Sequence, residues 1–156
     1  MSGPSPYDPD EQARENARVA RAFLDALTAR EPARIRELLA DDIVYHFPGE
    51  NALAGIYRGS DDVMAFLPRL PSMLDEPVMF DVHDVLSSEA HATDLSNYYG
   101  VRRGQRYSWR VVRVYHFKAG RIAEIFVTVD DQAGLDWFLA DDFGPSDESG
   151  IPPNRK

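Results

Sequence analysis

Apolar residues recur at helical spacing through the first third of the chain. Val19, Ala20, Phe23, Leu24 and Leu27 fall on one face of a stretch that begins near Asp10, and this stripe predicts an amphipathic helix. Pro32 suits the first turn of a second, short helix, with Ile35, Leu38 and Leu39 as its buried face and Asp41-Asp42 as its end. Residues 43–47 then read as a strand that stops at Pro48-Gly49, followed by a small-residue loop closed by Gly59. Ser60 is a favourable N-cap for a third helix, since Asp61 and Asp62 suit the positive helix end. Val63, Met64, Leu67 and Leu70 form its apolar side, and Pro68 and Pro71 kink or end it.

The pattern changes after residue 77. Residues 78–86, 92–99, 107–117 and 121–129 are rich in Val, Ile, Tyr and Phe and read as strands. Their connections, Ser87-Ser88-Glu89, the Gly100 to Gly104 stretch and Ala119-Gly120, are hairpin signals, so the sheet is expected to be a largely antiparallel meander. Asp130 or Asp131 caps a last helix containing Ala133, Trp137 and Phe138. Helices first and strands afterwards indicate the α+β class. The expected architecture is a cone-shaped α+β barrel, a curved and mostly antiparallel sheet wrapped around the N-terminal helices with a central pocket. With 156 residues the chain suits one domain, assigned to residues 10–140. Residues 1–9 are expected to be a disordered tail and residues 141–156 an acidic, flexible one. Val111, Val112, Val114, Ile122, Ile125, Phe126 and Val127 make two strands apolar on both faces. One face can line the cavity, and a second copy of the chain is the expected cover for the other, giving a homodimer.

Composition removes several classes of function. The net charge is −9 and the body of the chain is mildly acidic, which argues against nucleic acid as a partner. Arg102, Arg103, Arg106 and Arg110 cluster, as expected of a charged hairpin tip on a solvated face. With no cysteine, disulfides, thiolate nucleophiles and cysteine metal sites are excluded. No apolar run approaches the ~18 residues of a membrane span, and the start lacks the pattern of a signal peptide, so a cytoplasmic location is expected. His46, His83, His91 and His116 show no spacing that places two imidazoles on one face, so no metal is expected. Nucleotide-binding and serine-hydrolase motifs are missing, and no cofactor is expected.

The candidate chemistry lies in residues 42–59, DIVYHFPGENALAGIYRG, and in the last two strands. Tyr45, Phe47, Tyr99 and Trp109 could form an aromatic wall suited to a flat, largely apolar ligand with a few oxygens. Arg113, if it points inward, could grip a carboxylate or enolate oxygen, and His46 is a candidate substrate contact beside the turn.

This architecture, with the segments LLADDIVYHFPGENALAGIYRG, YHFKAGRIAEIF and DDQAGLDWFLA, resembles the SnoaL-like domains of the nuclear-transport-factor-2-like superfamily. Polyketide cyclases, ketosteroid isomerases and limonene-epoxide hydrolases share that fold. The carboxylate base of ketosteroid isomerases corresponds to Phe47 here, and their two oxyanion donors to Phe23 and Tyr115. The arginine of limonene-epoxide hydrolases corresponds to Arg113, with Tyr115 in place of the acid that follows it. SnoaL-type cyclases use a histidine and an aspartate on the two final strands, which makes His116 and Asp130 candidates. Aligning on the His-Phe pair selects His116, whereas aligning on Gly120 selects Tyr115. Neighbouring strand residues face opposite ways, so one of the two enters the pocket unless a bulge intervenes. Val129 competes with Asp130 in the same manner. The resemblance implies a cofactor-independent enzyme that cyclises, isomerises or dehydrates a small apolar oxygenated molecule of polyketide or terpenoid type. Its alternative is a non-catalytic ligand-binding or dimerisation module of the same fold.

Overall fold

The computed structural model describes residues 7–143, so most of both expected tails lies outside the described residues. Helix α1 (Pro9–Ala29) starts earlier than its apolar stripe suggests. Asp8 caps it by accepting from the backbone N–H groups of Asp10 (3.0 Å) and Glu11 (3.4 Å), and Pro9 fills the first position, where no N–H is needed. Residues 8 and 9 therefore belong to the folded body. Helix α2 (Pro32–Leu38) follows and runs directly into strand β1 (Leu39–Phe47). A short strand, β2 (Gly55–Arg58), pairs antiparallel with β1 where the sequence suggested only a loop. Gly59, at φ 87°, precedes α3 (Ser60–Phe66), so Ser60 sits inside the helix and makes no side-chain cap. Pro68 separates α3 from α4 (Arg69–Met73), a short helix that contains Pro71 and has no fully buried residue.

The four expected strands follow as β3 (Met79–Ser87), β4 (His91–Arg102), β5 (Gln105–Lys118) and β6 (Arg121–Val129). They pair in sequence as an antiparallel meander, and β6 then accepts β1 in parallel. The order β2-β1-β6-β5-β4-β3 makes one six-stranded sheet that does not close on itself. Register shifts interrupt β3 between Val82 and Asp84 and the β5–β6 pairing between His116 and Phe117. Such bulges bend strands and sharpen twist, which suits strands of 12 and 14 residues that must curl. The concave side closes over α1, whose Phe23 meets Tyr115 edge-on at 6.1 Å, and the result is a cone-shaped α+β fold.

Helix α5 (Gln132–Phe138) seals the cone near the β4–β5 turn. Asp131, not Asp130, caps it by accepting from Gly134 N at 3.0 Å. Arg102 is buried rather than solvated, because its Nη1 donates to the carbonyls of Phe138 and Ala140, both at 2.7 Å, and so satisfies the C-terminal end of α5. Phe143 is also buried, against Trp137 and Phe138, so the packed body continues to that residue.

Gly134 shows how closely α5 is fitted. A Cβ there would collide with the Asp131 carboxylate and the Tyr107 hydroxyl, which are themselves bonded at 2.9 Å. Helix propensity alone favours alanine over glycine by about 1 kcal/mol, whereas overpacking costs about 1–3 kcal/mol. The cap is pinned from two sides, so packing is expected to win. Gly134→Ala should lower the denaturant midpoint, and a raised midpoint would refute the fit described here.

Candidate active site

A tight turn sets the site. Arg103 (φ 49°) and Gly104 (φ 79°) both take left-handed backbone between β4 and β5, as two-residue hairpins require. The turn fixes a register in which Asp94 stands opposite Arg113, Ala92 opposite Tyr115 and Tyr98 opposite Trp109. Alternation then buries Ala92, Asp94, Ser96 and Tyr98 on β4, and Tyr107, Trp109, Val111, Arg113 and Tyr115 on β5.

Inside the cone these side chains form one hydrogen-bonded cluster. Arg113 Nη1 donates to Asp94 Oδ2 at 2.8 Å, Ser96 Oγ donates to the same oxygen at 2.6 Å, and the Tyr115 hydroxyl donates to Asp94 Oδ1 at 2.5 Å. Arg113 Nη2 donates to the Tyr98 hydroxyl, and the guanidinium lies 5.3 Å from the Tyr98 ring centroid. Phe80 and Trp109 stack with that ring, at centroid distances of 4.9 and 5.4 Å. Tyr45, from β1, completes the lining beside the guanidinium. Arg113 Nε is buried and has no hydrogen-bond partner among the described residues. A buried N–H left in that state costs free energy unless an acceptor reaches it.

Burial dominates the electrostatics of the phenols. It pushes Tyr45 up to about 12, against the opposing pull of the Arg113 charge. It raises Tyr98, and Tyr115 well above the ordinary value, so all three hydroxyls keep their protons at neutral pH. Burial works against the Arg113 cation as well, but the oxygens of Tyr98, Asp94, Tyr115 and Tyr45 outweigh it and hold the guanidinium well above its usual range.

The interior is closed. Asp94 and Tyr115 are 0% exposed, Arg113 3%, Trp109 4%, Tyr45 5% and Tyr98 6%. The side chains of this cluster therefore pack against one another and retain almost no accessible surface in this conformation. A groove of about 460 Å³ along Pro77, Met79, Tyr99 and Arg106 lies instead on the exposed outer face. The cover over the inner face includes α3 and α4. Phe66 packs on Tyr45 (5.1 Å), Phe47 (5.6 Å) and Tyr57 (4.0 Å), and Leu74 reaches Gly100. Arg69 ties this segment to the Ala52 carbonyl at 2.8 Å and the Tyr57 hydroxyl at 3.1 Å.

The sequence-derived candidates divide between the two faces. Tyr115, Tyr45, Trp109 and Arg113 point inward, and Phe47 is half-buried against Phe66. His116 points outward, edge-on to His91 at 4.5 Å. The bulge after His116 is a one-residue shift, the same size as the disagreement between the two alignments. His46 is also outward, stacked on Phe126 at 4.1 Å with Nε2 2.8 Å from Glu124. Tyr99 is 49% exposed, and its neighbour Tyr98 takes the inward place. Asp130 is exposed and accepts from Arg110 N at 2.9 Å, away from the cluster. Arg113 does face inward, but the carboxylate it grips is Asp94 of its own chain. Asp94, Ser96 and Tyr98 were not anticipated. Counting back equally along both strands from the Arg102–Gln105 pair leads to Asp94 opposite Arg113 and would have found them. Among the described residues no group of three His, Asp or Glu is placed to hold a metal ion, and no helix is long and apolar enough to cross a membrane.

The buried phenols predict a pH effect. An unfolded tyrosine ionises near 10, whereas folded Tyr45 does so only at about 12. Its contribution to stability is complete below pH 10 and is lost as pH rises toward 12. The loss at pH 11 is about 1.4 kcal/mol for this residue alone. Urea titrations between pH 8 and 11.5 should show stability falling above pH 10, with a shallower fall in Tyr45→Phe. An identical slope in the variant would contradict this account.

The comparisons agree with the architecture. The SnoaL-like domain family matches residues 20–125. An uncharacterized protein of Mycobacterium tuberculosis is 28% identical over 123 residues, covering 78% of this chain and 93% of its own. Two solved structures share the fold. Bal32a, from a soil-derived mobile gene cassette, has a TM-score of 0.78 at 22% identity, over 82% of this chain and 98% of its own. An M. tuberculosis LEH-like epoxide hydrolase has a TM-score of 0.63 at 23% identity, over 81% and 89%. With two thirds of its length matched and a cone built from the expected elements, this chain belongs to the SnoaL-like domain family.

Proposed function

We propose that this chain is a cofactor-independent enzyme that performs acid/base chemistry on a small, mostly apolar oxygenated molecule of polyketide or terpenoid type. The observation that carries the reading is the buried Asp94–Arg113–Tyr115–Tyr98 cluster, in which the guanidinium Nε has no partner among the described residues. Polar groups of this kind inside an apolar cone cost stability, and such arrangements concentrate at functional sites. The fold family hosts several chemistries, so the site rather than the fold supports the reaction class.

In this reading Asp94 is the base. Of its three donors, the Ser96 hydroxyl is neutral and can rotate away to free a lone pair on Oδ2. That oxygen takes a proton from the carbon beside a substrate carbonyl, and the C–H electron pair moves into an enolate. Arg113 Nε, fixed in a dry site, stabilises the developing oxygen charge. Return of the proton to a different carbon isomerises the substrate. Attack by the enolate carbon on a second carbonyl closes a ring, with the new alkoxide taking the proton back from Asp94. Loss of a β-hydroxyl that Asp94 protonates as it leaves, departing as water, dehydrates the substrate.

The test is deuterium exchange at the α-carbon of a simple aromatic ketone such as 2-tetralone, followed by NMR. Asp94→Asn should slow protein-catalysed exchange by about 10²–10⁴, while His116→Ala and Asp130→Asn leave it unchanged. Full activity in a folded Asp94→Asn removes the proposed base.

The closed interior favours a second reading, a ligand-binding module without turnover. It would show a raised melting temperature with ligand and no ligand consumption. Either reading includes a homodimer, supported by the apolar outer face. Leu86, Tyr99, Val112 and Phe126 are all at least about a third exposed on that face. Sedimentation should give a dimer for the native chain and a monomer for Val112→Glu, and a monomeric native chain would end the dimer proposal.

A further inference from the structure

Charge balance inside the cone narrows the ligand class. Arg113 is the one cation of the cluster, and Asp94 neutralises it at 2.8 Å with both groups at most 3% exposed. The hydroxyls of Tyr45, Tyr98 and Tyr115 are neutral phenols, and Ser96 adds no charge. Nη1 donates to Asp94 and Nη2 to Tyr98, and Nε is the guanidinium nitrogen with no hydrogen-bond partner among the described residues. A paired grip on a carboxylate would need a second N–H from Nη1 or Nη2, and each of those nitrogens already faces an acceptor of the cluster. An anion placed there would also lie beside the Asp94 charge in a desolvated interior, where like-charge repulsion is strong. A cation would meet the guanidinium instead.

We infer that the cone interior takes a neutral molecule through one acceptor oxygen, of ketone, ester or ether type, and rejects carboxylates and phosphates. The inference rests on the proposed ligand site and adds its charge selectivity. It also changes the role expected for Arg113, which serves a neutral oxygen because its charge is already balanced by Asp94 of the same chain.

Two probes with the same ring system test it, 2-acetylnaphthalene and 2-naphthoate, titrated at pH 8 into the full chain carrying Trp137→Phe. Trp109 then reports the interior, since it stacks on Tyr98. The ketone should quench or shift Trp109 emission with an affinity at least about tenfold above that of the carboxylate, a gap of about 1.4 kcal/mol. Asp94→Asn removes the internal counter-charge and should narrow or reverse the preference. Equal or tighter binding of 2-naphthoate to the native site overturns the charge selectivity while leaving the ligand site standing. Failure of both probes to perturb Trp109 overturns the ligand site itself, and the inference with it. The comparison in the Trp137→Phe chain decides the matter even where Asp94→Asn does not fold.

Discussion

Removing a guanidinium and a carboxylate from water costs several kcal/mol per ion, even after the protein relaxes around them. Arg113 and Asp94 meet that cost together, at 2.8 Å and almost without exposure. Their mutual attraction offsets much of it, and the donors from Ser96 and Tyr115 satisfy further lone pairs of the carboxylate. A well-packed apolar pair of similar volume would serve stability as well or better, whereas loss of one partner strands a buried charge at a cost of about 3–5 kcal/mol. Stability alone therefore does not account for the pair. The rest of the interior is arranged around it, including the Tyr98 ring under the guanidinium, the stack of Phe80 and Trp109 on that ring, and Phe23 of α1 against Tyr115.

The pair depends on register, and register depends on a few backbone positions. The two left-handed residues at Arg103 and Gly104 count both strands out so that Asp94 and Arg113 coincide. A slip of one residue between the two strands would set Asp94 opposite Val112 or Val114 and send Asp94 and Arg113 to opposite faces of the sheet. The end of the sheet carrying this turn is anchored twice. Arg102 holds the last carbonyls of α5, and Asp75 accepts from Arg103 N at 3.0 Å and Gly104 N at 2.8 Å. Two arginines that look like a solvated basic tip are thus part of the scaffold that places the ion pair.

These dependencies explain what the sequence discloses and what it hides. The stripe of Val19, Phe23 and Leu24 on α1 is strongly periodic, and the β-branched runs of β5 and β6 are long, so class and fold were legible. Strand β2 was not, because Gly55 and its small-residue approach carry loop signals and only pairing with β1 makes it a strand. The facing of Tyr115 and His116 follows from the unbroken β4–β5 register, while the bulge in the β5–β6 pairing, a tertiary feature without a local signature, spoils counting back from Gly120. Asp94 was missed because polar residues occupy both faces of its strand. Thr93 and Asn97 lie outward while Asp94 and Ser96 lie inward, so alternation of polarity could not reveal which face was buried. Cross-strand counting from the turn could have done so, since it uses geometry rather than hydropathy.

The closed interior and the chemistry assigned to it are connected through the α3–α4 cover. A dry, preorganised site strengthens every electrostatic contact made by Arg113, but it admits ligand only when something moves. The least buried part of that cover is α4, whose Leu70 and Met73 are only partly buried against the core; it is bounded by Pro68, contains Pro71, and is held in part by Arg69 on exposed acceptors. Displacing it would spare the sheet register, and therefore the ion pair, because none of the β4–β5 pairing passes through it. Apparent affinity falls in proportion to the open fraction, so a cover weakly held beside a rigid sheet gives access at small cost. The division of labour is physical: the strands fix the charges, and the short proline-bounded helix, with Leu70 and Met73 only partly buried against the core, covers them without fixing their register.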